Sequence, residues 1–304
     1  MVAPLRLAIS GATGFVGARL LDLAIDAGHG VRALTRRPQP PRDCVTWIDG
    51  ALDVPDSLDR LVKGVDAVIH VAGVINAPDA AGFEAANVIG TSAILAAAEV
   101  AAVARFVHVS SLAAREPDLS RYGASKARSE ALVAASPLST AIVRPPAVYG
   151  PGDRETLELF RMAKRGQIFV PPRGRLSLLH VDDLARLLLA LAAPDAPAVT
   201  IEPDDGRPGG WGHCEFGDAL AQAVGSPART IAVPRWLLLL GARIDQLARG
   251  SGAKLTADRV AYFCHPDWVV SPIRAAPAEL WRPQIDTAAG LAGTARWYRA
   301  QRWL

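Results

Sequence analysis

Residues 5–28 run from a short apolar segment, Leu5-Arg6-Leu7-Ala8-Ile9, through Ser10-Gly11-Ala12-Thr13-Gly14-Phe15-Val16-Gly17 into an amphipathic stretch ending at Ala27-Gly28. A strand-length apolar run, a glycine turn and a helical pattern in direct succession require a strand that feeds a helix through a tight turn. Glycines 11, 14 and 17 permit the turn, a close approach of backbone N–H groups to a pyrophosphate, and tight helix-on-strand packing. The helix start adds its positive dipole end. The spacing is G-x-x-G-x-x-G, and the contacts expected of it are Gly11, Thr13, Gly14, Phe15, Val16 and Gly17.

Apolar strand candidates recur at 5–9, 31–34, 45–48, 67–71, 105–109 and 140–143, separated by helical patterns such as 83–103 and 121–135. Strands alternating with helices predict an α/β fold, a doubly wound parallel sheet of the Rossmann kind. Beyond residue 150 the pattern loosens: a strand-like 198–201, a Pro/Gly-rich 203–210, then helical patterns near 216–224, 235–248 and 285–301. The expected organisation is a dinucleotide-binding domain over 1–150 with contributions from 176–204. A discontinuous substrate-binding lobe takes 151–175 and 205–284, and a C-terminal helix takes 285–304.

Half of the 304 residues are hydrophobic, ample for a large core. The net charge of +3 is too balanced for a nucleic-acid surface. Cys44, Cys214 and Cys264 lack C-x-x-C spacing, so neither a disulfide framework nor a metal site is expected, and a reducing cytoplasm fits. Glycines interrupt the N-terminal apolar run too early for a signal peptide. The apolar runs 187–191 and 236–240 are shorter than the roughly 20 residues of a membrane span. Pro234-Arg235-Trp236-Leu237-Leu238-Leu239-Leu240 is expected as a buried helix of the small lobe; a membrane-surface segment and a wall for an apolar substrate are the alternatives.

Tyr122 and Lys126 stand four residues apart, eleven residues after Ser111. On a helix that spacing places phenol and ammonium on one face, and a nearby cation lowers a phenol pKa. With a hydroxyl to hold a carbonyl or alcohol oxygen, the pair forms a general acid/base. At the end of the second strand stands Thr35-Arg36-Arg37-Pro38, where a carboxylate would select NAD and an arginine accommodates the extra phosphate of NADP. NADP is therefore expected rather than NAD, with Arg36 as its ligand and Arg37 second.

His70-Val71-Ala72-Gly73, Asn87-Val88-Ile89-Gly90-Thr91, Val109-Ser110-Ser111, Tyr122-Gly123-Ala124-Ser125-Lys126 and Arg144-Pro145-Pro146-Ala147-Val148-Tyr149-Gly150-Pro151-Gly152 follow the glycine signature in order. Together they resemble the extended short-chain dehydrogenase/reductases, the epimerase/dehydratase superfamily. His180-Val181-Asp182-Asp183, Leu280-Trp281-Arg282-Pro283, Trp297-Tyr298-Arg299 and Trp303-Leu304 resemble its 3β-hydroxysteroid dehydrogenase-like branch. The resemblance implies an NAD(P)-dependent enzyme in which Tyr122 transfers the proton, Lys126 holds the nicotinamide ribose and Ser111, with Ser110 as competitor, hydrogen-bonds the reacting oxygen. It extends the cofactor contacts to Leu52, Ala72, Asn87, Pro145 and Val148 beside Tyr122 and Lys126, and implies a small-molecule substrate and a homodimer built on the helices of Asn87 and Tyr122.

Departures from that family narrow the chemistry. Gly50-Ala51-Leu52 lacks the usual aspartate, so a backbone N–H replaces the side-chain contact to adenine, and the short interval from Ser111 to Tyr122 removes part of one wall. Leu112-Ala113 stand where dehydratases carry an Asp-Glu pair. Pro145 stands where nucleotide-sugar epimerases commonly carry Asn. The expectation is an alcohol dehydrogenase or ketoreductase for a mainly apolar cyclic substrate such as a steroid or terpenoid. A nucleotide-sugar epimerase and a non-catalytic NADP-binding sensor or accessory subunit remain the alternatives.

Overall fold

The computed structural model describes residues 3–253 and 255–304. The chain divides into two compact units. The first comprises residues up to 145, 184–202 and 274–281; the second comprises 146–183, 203–273 and 282–304.

The first unit is built on β1 (Arg6–Ser10), β2 (Gly30–Thr35), β3 (Val45–Asp49), β4 (Ala67–His70), β5 (Arg105–Val109), β6 (Ser139–Val143) and a seventh strand, Val199–Ile201. All pair parallel, in the order Val199–Ile201, β6, β5, β4, β1, β2, β3. Strand order reverses between β1 and β4, so the crevice outside their carboxyl ends is where such a sheet takes its ligand. Helices α1 (Phe15–Asp26), α2 (Pro55–Val62), α3 (Ala80–Phe83), α4 (Gly90–Val100) and α5 (Arg121–Ala134) join these strands. Residues of α2, α4 and the strands, among them Leu58, Leu61, Val68, Ile94, Leu95, Ala98 and Phe106, make one continuous core. A π-helical stretch, Glu84–Ile89, joins α3 to α4. The resulting helix Ala80–Val100 is long and apolar enough to cross a membrane by length and composition. Its Phe83, Asn87, Thr91, Ile94, Leu95 and Ala98 are nevertheless buried within this unit, as in a core helix.

The second unit holds β7 (Ala147–Tyr149), α6 (Leu157–Lys164), β8 (Gln167–Val170), β9 (Leu178–His180), α7 (Val181–Leu191, in the first unit from Leu184 onward), α8 (His213–Val224), α9 (Arg235–Arg249), α10 (Ala257–Phe263) and α11 (Thr287–Ala300). Phe160, Ile168, Phe216, Leu220, Leu291 and Tyr298 form its core. The Tyr298 hydroxyl donates to Asp153 O (2.7 Å), and the guanidinium of Arg154 lies 4.7 Å over the Trp303 ring. Asp183 accepts the Gln284 and Ile285 N–H groups, which ties the approach to α11 to the start of α7.

Three expectations differ from this arrangement. Residues 146–150 and 176–183 group with the second unit, because β7 pairs with β9 along Ala147↔Leu178 to Tyr149↔His180. Residues 274–281 return to the first unit, where Arg274 O accepts the Glu202 N–H (2.8 Å). The run 234–240 is not a buried helix: on α9, Trp236 is 67 % exposed and Leu237 and Leu240 over 40 %.

Candidate active site

The turn after β1 shows why glycine occupies two of its positions. Gly11 adopts φ +77°, and a Cβ there would lie 2.7 Å from Ala72 N; a Cβ on Gly17 would lie 2.0 Å from Gly11 O. Gly14 caps α1 with no side-chain hydrogen bond, and the Ala18 N–H bonds Gly14 O at 2.8 Å. Helix geometry then leaves the N–H groups of Phe15, Val16 and Gly17 without intrahelical acceptors, facing outward at the positive end of a 12-residue helix. This cradle fits a dinucleotide pyrophosphate. Thr13 is exposed at its lip, and Ala72 N–H reaches Ser10 Oγ at 3.4 Å.

Arg36 and Arg37 stand exposed just past the end of β2, and neither guanidinium makes an ion pair among the described residues. Thr35 Oγ1 accepts the Arg37 N–H and donates to Arg37 O, which fixes the turn that presents them. Leu52 packs against α4, its Cδ1 2.7 Å from where a Cβ on Gly90 would sit. Pro145 is buried, its carbonyl accepting the Leu112 N–H (2.9 Å), whereas Val148 lies on β7 in the second unit.

Helix α5 is seated by Ser120, whose hydroxyl accepts the Gly123 N–H at 3.0 Å. Gly123 brings the helix close to the preceding segment: a Cβ there would meet Ala113 O at 2.6 Å. The short interval between Ser111 and Tyr122 is thus a compact 3-10 turn, Leu112–Arg115, against which α5 packs. Ser111 Oγ accepts the Ala113 N–H (3.2 Å) and is hydrogen-bonded to the Tyr122 phenol. The Phe83 ring packs on the Tyr122 ring at 6.2 Å.

Ser110 is engaged elsewhere. Its hydroxyl donates to Glu130 Oε1 (2.5 Å), and Glu130 pairs with Arg144 at 2.6 Å. Arg144 also reaches Glu202 (3.2 Å), which is fully buried. Of the two serines, the structure places Ser111 against the phenol and Ser110 in this ion-pair network.

The phenol pKa departs from expectation. Burial pushes Tyr122 above the ordinary value, and the Ser111 hydrogen bond only partly offsets that. The Lys126 ammonium donates to Val109 O at 2.9 Å, and desolvation lowers its own pKa to about 8, against the pull of Glu130. Sequence spacing put the two groups on one helix face, but the cost of burying a phenolate outweighs proximity to a cation that a carbonyl already engages.

Behind these groups runs a chain the sequence motifs touch without revealing. Asn87, in the π-helical stretch, accepts the Val74 N–H (2.7 Å) and donates to Val74 O and to Ser125 Oγ (both 2.9 Å), clamping the segment after β4 to α5. A Cβ on Gly73 would come within 3.0 Å of Asn87 Oδ1 and 3.3 Å of Lys126 Nζ, so glycine keeps this floor open. Parallel register aligns Ser10, His70 and His108 across β1, β4 and β5. Thr91 spends its proton on Asn87 O, so His70 Nε2 donates to Thr91 and Nδ1 accepts from Ser10 (2.6 Å). Likewise Ser129 spends its proton on Lys126 O, so His108 Nε2 donates to it and the buried Nδ1 finds no partner among the described residues. His70, Ser125 and Gly73 lay inside quoted motifs; only their long-range partners show what they do.

Both imidazoles are neutral in the folded chain: desolvation, aided by Lys126, lowers His70 to about 3 and His108 well below its usual value. Once unfolded they titrate near the ordinary value of about 6.5, so the unfolded state binds more protons below that pH. Stability from this source is complete above pH ~6.5 and is lost as pH falls, at about 3 kcal/mol per pH unit for two protons. His108→Phe is expected to remove about half that slope, read from urea midpoints measured across mildly acidic pH.

The NAD dependent epimerase/dehydratase family model matches residues 7–201. A ceramide reductase of Caulobacter vibrioides is 39% identical over 307 residues, covering 98% of this chain and 96% of the relative. A 3 beta-hydroxysteroid dehydrogenase/Delta 5-->4-isomerase of Mycobacterium tuberculosis is 28% identical, covering 77% of this chain and 74% of its own. Among solved structures, MoeE5 in complex with UDP-glucose and NAD superposes with a TM-score of 0.76 at 24% identity, over 98% of this chain and 99% of its own. With the parallel sheet, the glycine cradle and the Ser111–Tyr122–Lys126 cluster in place, the chain belongs to the NAD dependent epimerase/dehydratase family, as an oxidoreductase that uses a nicotinamide cofactor.

Proposed function

We propose that the chain is an NADPH-dependent ketoreductase acting on a long-chain lipid of the ceramide class. The observation that carries the reading is the Ser111 hydroxyl hydrogen-bonded to the buried Tyr122 phenol beside Lys126, and the reductive direction is taken from the ceramide reductase. The phenol gives its proton to the nascent alkoxide in reduction and takes it back in oxidation. When bound, the nicotinamide supplies a hydride to the carbonyl carbon. Ser111 and Tyr122 donate hydrogen bonds to the carbonyl oxygen, and the Tyr122 proton passes to it as the C–O π bond breaks, leaving a secondary alcohol. Lys126, charged below about pH 8, stabilises the phenolate that remains. Reduction is accordingly expected to weaken as pH rises through that value.

The substrate class rests on the ceramide reductase, matched over nearly the whole of both chains. It replaces the cyclic alcohols expected from the sequence with a long-chain lipid, equally apolar. NADPH is favoured because two unpaired guanidiniums, and no carboxylate, stand at the end of β2.

The test is steady-state reduction of a keto-ceramide dispersed in detergent, compared with a cyclic ketone, under NADPH and NADH. Preference for the lipid with NADPH is expected, and turnover of the cyclic ketone alone would refute the substrate class. Arg36→Ala is expected to weaken NADPH binding about ten-fold or more by removing a charged hydrogen bond, with NADH binding changed less than about two-fold. Equal loss for both cofactors would refute the role of Arg36.

A further inference from the structure

Three adjacent parallel strands, β5, β6 and Val199–Ile201, are each followed by a residue of one ionic cluster. Past β5 the chain runs through Ser111 into the 3-10 turn Leu112–Arg115; past β6 stands Arg144, and past Ile201 stands Glu202. The Glu202 side chain is fully buried, yet Arg115 (3.4 Å), Arg144 (3.2 Å) and Arg274 (3.9 Å) all approach it. Three cations around one carboxylate exceed what neutralisation needs, and a buried ion pair adds little net stability because desolvation offsets the attraction. Charge-assisted hydrogen bonds of arginine do fix where their members stand.

Arg115 is the member of the cluster that leads to the active site, because it closes the turn that Ser111 opens. Ser111 caps that turn through its Oγ, which takes the Ala113 N–H, and through its carbonyl, which takes the Ala114 N–H at 3.0 Å. The front of the turn hangs from the exit of β6 by the Leu112 N–H on Pro145 O (2.9 Å), and its side lies against α5 where Gly123 leaves room for Ala113 O. The far end carries Arg115, whose guanidinium donates to Glu202. Arg144 holds the same carboxylate and also Glu130 on α5 (2.6 Å), four residues after Lys126. The Ser111 turn and the helix of Tyr122 and Lys126 are thus referred to one anchor. A misplacement of about 1 Å at a reacting centre costs up to about 100-fold in rate.

We propose that Arg115 is a positioning residue whose ion pair with Glu202 fixes the 3-10 turn, so that the Ser111 hydroxyl stays on the Tyr122 phenol and on the reacting oxygen. The proposal rests on the reading of Ser111 and Tyr122 as the pair that holds that oxygen. Arg274 approaches the same carboxylate from outside the turn, and Arg144 is tied to Glu130 as well. Removing Arg115 leaves Glu202 with both other arginines, so the loss falls on geometry and strands no charge.

The test compares Arg115→Met with Arg274→Met in the full chain, by NADPH-dependent reduction of detergent-dispersed keto-ceramide and by NMR of tyrosine labelled with carbon-13 at Cζ, the Tyr122 signal being assigned with Tyr122→Phe. Arg115→Met is expected to lower kcat about ten-fold with KM changed less than about two-fold and a urea midpoint near that of the wild type. Arg274→Met is expected to stay within about two-fold of wild-type kcat, because its half-exposed guanidinium contributes little to the pair. In a Ser111→Ala background, adding Arg115→Met is expected to cost less than about two-fold more, since the hydroxyl it positions is gone. The Tyr122 Cζ signal is expected to move in Arg115→Met in the direction it moves in Ser111→Ala, and to keep its place in Arg274→Met. Arg115→Gln is read in the same way should the methionine variant fail to fold. An Arg115 variant with wild-type kcat, or with the Tyr122 signal in its wild-type place, overturns the proposal. So do Arg115 and Ser111 losses that multiply in the double variant, or an Arg274→Met loss equal to that of Arg115→Met. A wild type that reduces no keto-ceramide counts against the proposed activity, and the tyrosine signal then decides the role of Arg115 by itself.

Discussion

Tyr122→Phe is expected to lower kcat for ketone reduction by about 10³-fold while cofactor affinity changes less than about two-fold, since the substitution removes only the proton that the reaction consumes. The loss is large because the phenol is the group whose O–H is transferred, and the ring that remains still packs on Phe83. The neighbouring serines separate the roles further. Ser111→Ala removes the second hydroxyl that holds the reacting oxygen and is expected to lower kcat by about ten- to a hundred-fold with little effect on stability. Ser110→Ala instead strips a donor from buried Glu130, and its effect is expected in the unfolding free energy, about 1–3 kcal/mol, more than in kcat. A Tyr122→Phe enzyme with wild-type kcat, measured by stopped-flow NADPH oxidation, would remove Tyr122 from the chemistry.

The largest expected effect on stability belongs to Arg144. Its guanidinium makes contacts of 2.6 Å to Glu130 and 3.2 Å to Glu202, whose side chains are 9 % and 0 % exposed. Arg115 (3.4 Å) and Arg274 (3.9 Å) also approach Glu202, but Glu130 pairs with no second arginine among the described residues. Arg144→Met strands a buried carboxylate and is expected to cost about 3–5 kcal/mol, a large part of a typical domain stability of about 5–15 kcal/mol. Adding Glu130→Gln removes the stranded charge, so the double variant is expected to be more stable than Arg144→Met alone in urea titrations. A double variant destabilised by the sum of the two single effects would show that the pair does not interact.

The strands of the sheet were readable because each is a run of four to six mostly apolar residues closed by a turn, and the i, i+4 spacing put Tyr122 and Lys126 on one helix. The family resemblance favours Ser111, but what distinguishes it physically from Ser110 is Glu130, twenty residues on from Ser110, and Arg144 beyond it. The direction of the Tyr122 pKa was missed for a related reason. Spacing reports the neighbouring cation, whereas desolvation depends on what folds over the phenol. The unit boundary near residue 146 turns on the pairing of Ala147 with Leu178, and no local pattern records it. For 234–240, apolar composition alone does not say which way a helix faces; the inward placement of Ala242 and Asp245 decides it.

Transfer of deuterium from nicotinamide-deuterated NADPH to a keto-ceramide, followed by mass spectrometry of the product under single-turnover conditions, addresses the proposed reaction most directly. One deuterium on the carbinol carbon per NADPH consumed, absent in Tyr122→Phe, is the expected result. Wild-type enzyme that leaves the keto-ceramide unlabelled, and instead interconverts a nucleotide sugar with no net change in cofactor, would contradict it.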